Sequence, residues 1–73
     1  MSGALAPPPM EIFEEPFKIS GFTFTVYRSK DIIADAFQFR IMVNAGGDEW
    51  LTEPTPNLAT AYYGILLYLQ DNA

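Results

Sequence analysis

The chain has 73 residues, neither Cys nor His, four basic residues (Lys18, Arg28, Lys30, Arg40) and nine acidic ones, for a formal charge of −5. A chain of this length hides only about 60% of its unfolded surface, so one small domain fits and two do not, and no disulfide or Cys/His zinc site adds to its stability. Without imidazole or thiol there is no Ser-His or Cys-His nucleophile pair, and a content of 49% hydrophobic residues excludes a disordered chain.

Residues 1–9 end in Pro7-Pro8-Pro9 and show no periodicity. A triple proline favours an extended polyproline II path without ladder hydrogen bonds, so these residues read as a flexible Pro-rich leader and residues 10–73 as a single domain. The opening residues lack the basic region and long apolar run of a signal peptide, and an intracellular, cytoplasmic location is expected. From Phe13 the pattern has period two. Phe13, Glu15, Phe17 and Ile19 are expected on one face, with Glu15 the misfit, and Pro16 confines the strand to a sheet edge.

After a short turn at Ser20-Gly21, residues 22–28 form the clearest strand, because Phe22, Phe24 and Val26 share one face while Thr23, Thr25 and Tyr27 share the other. Beyond it Ser29-Lys30-Asp31 is polar and residues 32–35 read as a loop or a single helical turn, so the path of residues 29–36 is open. In residues 37–43, Phe37, Phe39, Ile41 and Val43 alternate with Gln38, Arg40 and Met42, as in a sheet with one buried and one wet face. Residues 44–48, with Gly46-Gly47, predict a hairpin loop of about five residues leading into a short strand over 49–52.

The period then changes. Pro54 and Pro56 break any strand, and Asn57 is the expected N-cap of a helix running from 58 to about 71. On it Leu58, Ala61, Tyr62, Ile65, Leu66 and Leu69 form the predicted core stripe. Tyr63 and Leu67, four apart on the opposite face, are apolar residues left over. The fold class is therefore α+β: a small antiparallel sheet of three to four strands followed by one C-terminal helix.

Charge is unevenly spread, with −3 over residues 1–15, +2 over 16–45 and −4 over 46–73. Carboxylate-only catalysis has two candidate sets, Glu14/Glu15 and Asp48/Glu49 with Glu53, but adjacent residues along a strand point to opposite faces, so neither adjacent pair shares one site. These acids read as a solvated rim. No catalytic, metal or cofactor site is expected, since the Gly46-Gly47 segment matches neither a calcium loop nor a phosphate-binding loop. Residues 22–27 are similar to strands on which single-stranded bases stack, yet four bases against nine acids do not supply phosphate contacts. An acidic mimic of nucleic acid is a minor alternative. No membrane span is expected, because the apolar run over 59–69 falls well short of about 20 residues.

Binding to a protein is what the remaining features favour together. The candidate contacts are Leu5 in the leader, Met10, Ile12 and Phe13 after it, Trp50 on the short strand, and Tyr63 and Leu67 on the helix: apolar and aromatic anchors within a charged rim. Trp50 reads as core or as anchor. Tyr63 and Leu67 face the N-terminal segment, a second copy or a partner; a monomer is expected ahead of a homodimeric structural or assembly protein.

The compact acidic form without Cys or His, the leader Ala4-Leu5-Ala6-Pro7-Pro8-Pro9, the small antiparallel sheet and the terminal helix over 58–71 together resemble the small RNA-polymerase-binding transcription regulators of lytic phages of xanthomonads. That resemblance implies a phage protein in the host bacterial cytoplasm, seated on host RNA polymerase at the β′ N-terminus and β flap, by the RNA exit channel. It implies inhibition of σ-dependent initiation and promotion of antitermination, without enzymatic activity. The candidate contact residues come from the apolar pattern and not from the resemblance.

Overall fold

The computed structural model describes residues 10–72. The proposed leader over 1–9, with Leu5, lies outside the described residues. Four strands, β1 (Glu11–Ile19), β2 (Phe22–Asp31), β3 (Ala36–Ala45) and β4 (Asp48–Leu51), form one antiparallel sheet in the order β1-β2-β3-β4, followed by helix α1 (Leu58–Asp71). The expected α+β architecture is what the chain adopts.

The alternation in β2 and β3 positions the core. Phe24 lies opposite Val43 and Val26 opposite Ile41, and these four side chains are closed off from solvent where Ala61 and Ile65 of α1 press on them. Packing on this one face offsets the chain entropy of a helix that is only marginal by itself.

Both tight turns need left-handed backbone. Gly46 and Gly47, at φ +61° and +98°, join β3 to β4 in two residues, not the five expected. Consecutive positive φ values twist the turn in the same sense as its strands, so pairing persists to Ala45 opposite Asp48, and the Asn44 amide donates to Glu49 at 3.1 Å. The segment with no assigned structure, 32–35, is a four-residue turn between β2 and β3. Asp31 organises it: one carboxylate oxygen accepts from the backbone N–H of Ile33 (3.0 Å) and of Ala34 (3.1 Å), and the other accepts from the Gln38 amide at 3.0 Å.

β1 departs from strict alternation. Its register against β2 slips between Ile12 and Glu14 and again between Glu14 and Phe17. Each slip is a β-bulge, an extra residue that re-aims the side chains around it. Phe13 and Glu14 therefore both reach the helix side, where Phe13 meets Phe39 edge-on at 5.4 Å and Glu14 accepts a hydrogen bond from Tyr62. Glu15, expected on the core face, sits exposed in the second bulge. Pro16 does lie on an edge strand.

Past β4 the chain keeps to the edge of β3. Thr52 donates its N–H to the Ile41 carbonyl and accepts from Ile41 N–H through its hydroxyl, both at 2.9 Å, and Thr55 exchanges two backbone bonds with Phe39. These contacts carry the chain back across the sheet to the start of α1. Asn57 caps the helix as expected, its side-chain oxygen accepting from Thr60 N–H at 3.2 Å.

The rotation of α1 differs from the predicted stripe. Tyr68 turns inward and meets Phe22, Phe24 and Trp50 at ring distances of 5.2, 6.0 and 5.3 Å. Leu66, placed in the core stripe by spacing, is 58% exposed. A ring as large as that of Tyr68, seated among three other aromatic rings, sets the roll of the helix more strongly than one leucine can.

Candidate functional site

The site grows out of that roll. α1 lies closest to β3, leaving the β1 side of the sheet partly uncovered. An open groove of about 570 Å³ results, floored by Phe17 and Ile19 of β1 and walled by Ala59, Tyr62, Tyr63, Ile65 and Leu66 of α1. Tyr63 is 58% exposed and Leu67, one turn on, is 43% exposed. With Leu66 they give the helix an apolar outer arc continuous with the groove. Such an arc is uncommon on a helix whose opposite face is already packed.

Polar chemistry in the groove is confined to one rim. The Tyr62 hydroxyl donates to the Glu14 carboxylate. Burial, then that hydrogen bond and the adjacent negative charge, push the Tyr62 hydroxyl up from 10.0 to about 12. All three causes favour the protonated phenol. The stability it contributes is therefore fully present below the ordinary tyrosine value of 10.0 and is lost as pH rises through about 12. In an alkaline titration followed by tyrosinate absorbance, Tyr62 is expected to ionise with a midpoint near 12. Glu14→Gln is expected to bring its midpoint part of the way down, because burial, the larger cause, remains; an unmoved midpoint would exclude a role for Glu14.

The other sequence candidates do not gather at this groove. Phe13 joins a cluster at the far end of β1, where the Arg28 guanidinium lies 5.7 Å from its ring and 4.6 Å from that of Phe37, and pairs with Glu11 at 2.6 Å. Ile12 pairs with Tyr27, on the sheet face away from the helix, and Met10 is exposed just before β1. Trp50 sits on the opposite edge strand, part exposed and part packed on Tyr68. It is at once a flank of the core and a surface ring.

Spacing alone missed three sets of residues. Leu66 was hidden by its place at the margin of the stripe, and Phe17 and Ile19 became groove floor only through the lateral position of α1. Ile32 and Ile33 stand at the tip of the β2–β3 hairpin, Ile33 at 99% exposure, and their one signal is a pair of isoleucines in a polar turn.

Among the described residues no three carboxylates converge to hold a metal ion, and no helix is long and apolar enough to cross a membrane. The aromatic strand that resembled a base-stacking platform turns Phe24 and Val26 fully into the core. No family model, curated protein or solved structure matches the chain.

Proposed function

We propose that this protein is a non-enzymatic regulator that works by docking on a larger protein, with bacterial RNA polymerase as the partner that its sequence resemblance implies. The observation that carries the docking reading is the apolar arc of Tyr63, Leu66 and Leu67 beside an open groove. These side chains add little to the fold, and aromatic and aliphatic anchors of this kind supply most of the energy of protein contacts. Occupying a site on polymerase would lower σ-dependent initiation and raise read-through of terminators without any chemistry by the chain itself.

Immobilised protein is expected to retain purified bacterial RNA polymerase, and Leu67→Glu to weaken retention about tenfold or more while leaving the circular dichroism spectrum unchanged. Undiminished retention by the variant would overturn the docking surface. Failure of the unaltered protein to retain polymerase would overturn that partner. A second copy is the competing occupant of the same arc, but two chains each of charge −5 repel; a monomer is expected in sedimentation at tens of micromolar, about the concentration at which a self-complementary apolar patch associates.

A further inference from the structure

Resting on the reading of α1 as a docking face, we infer that the groove between β1 and α1 takes a basic amphipathic helix: a partner segment with apolar residues spaced i, i+3/i+4, i+7 and Lys or Arg on its flanks. Three observations converge on that occupant.

The first is charge. Glu14 stands on the groove rim through its bond to Tyr62, in a chain whose net charge is −5. The last turn of α1 carries no basic residue, so the partial negative charge of the helix C-terminus adds to that of Asp71. None of the four bases offsets this rim. Arg28 is bound to Glu11 and Lys30 to Asp35 at the other end of the sheet. Lys18 pairs with Thr23, and Arg40 with Tyr27, on the face away from the helix.

The second is the backbone. An extended peptide would add to the free edge of β1, but two bulges and Pro16 interrupt the row of groups it would need. Recognition through side chains is left, and an aromatic and aliphatic trough suits the apolar face of a helix. The third is the lining. Its polar groups are the hydroxyls of Tyr62, already engaged, and of Tyr63 on the outer wall, too few to converge on and orient a small molecule.

The test uses the full chain and three synthetic peptides: a helix-forming 16-mer with a single Leu face flanked by Lys, the same peptide with Glu for every Lys, and a Lys-containing scramble that has no apolar face. Calorimetry and methyl NMR are expected to show the basic amphipathic peptide binding at Ile19, Ile65 and Leu66, with affinity falling as salt rises. The acidic and scrambled peptides are expected to bind about tenfold more weakly or worse. Leu66→Glu separates groove binding from plain charge attraction. It adds an acid, so stronger binding by this variant would overturn the proposal, and loss of binding supports it. Equal affinity for basic and acidic peptides, or shifts confined to the hairpin tip or the β4 edge, would also overturn it. If polymerase retention is lost in Leu67→Glu while the peptides show no charge preference, the basic helix fails and the docking face stands. If the charge preference holds while polymerase is not retained, the groove's occupant stands and the partner fails.

Discussion

Phe24→Ala is expected to abolish the cooperative fold. Phe24 is fully buried at the centre of β2, with Phe17 at 5.9 Å on one side and Tyr68 at 6.0 Å on another. Replacing a buried Phe by Ala costs about 3–5 kcal/mol, because transferred surface is lost and the cavity closes only in part. A core in a chain of this size supplies about 3–5 kcal/mol of net stability, so the substitution consumes nearly all of it. The cavity would also strip one wall from Tyr68, the ring that sets the roll of α1, and the groove would lose its geometry along with the core. Urea unfolding monitored by Trp50 fluorescence and far-UV circular dichroism is expected to lose its native baseline at 25 °C. Ile33→Ser, at the solvent-exposed hairpin tip, is expected to fall within about 0.5 kcal/mol of the unaltered protein. A cooperative Phe24→Ala with a midpoint near that of the parent would show that the core is not centred on β2.

The contrast between those two positions also indicates which parts of the structure the sequence made legible. The strands over 22–28 and 37–43 could be read because a single helix covers one face of the sheet, which imposes period two on both. Asn57 could be read as an N-cap because Pro56 ends the preceding extended segment and the side chain then has one role available. β1 could not be read in the same way. Its bulges accompany the fit of Phe13 on Phe39, far away in the chain, and of Phe17 on Phe24 in the neighbouring strand, contacts that the alternation of β1 alone does not encode. The shorter β3–β4 turn was obscured because Asn44 and Asp48 are turn-formers by composition, yet both continue the ladder.

The candidate site was legible in part for a related reason. Tyr63 and Leu67 were apolar residues on a face that ought to be polar, a signal carried by one helix alone, and both are exposed. The groove beside them depends on how far α1 sits from β1, a property of packing between elements. The charge imbalance was visible as numbers along the chain, with acids at both ends. Its meaning came only with the pairing of Arg28 to Glu11 and Lys30 to Asp35, which spends half of the bases away from the groove.

Two neighbours on α1 test that division between fold and surface most directly. Ile65 is 5% exposed and Leu66 is 58% exposed, although the spacing of the sequence puts both in one core stripe. Ile65→Ala removes a side chain wedged against Val26, Ile41 and their neighbours in the core cluster, at a cost of about 2–4 kcal/mol. Leu66→Ala removes an exposed side chain from the groove wall and is expected to change stability by about 0.5 kcal/mol or less. Binding is expected to reverse the order. Leu66→Ala lowers affinity for whatever fills the groove with the fold intact, whereas Ile65→Ala lowers it only in proportion to the fraction unfolded. Denaturant midpoints for the two variants, measured beside their binding to one partner peptide, check both halves. Equal loss of stability at 65 and 66 would mean that α1 is rolled as the sequence stripe predicts, with Leu66 inward, and the groove along β1 would then be filled by the protein's own core.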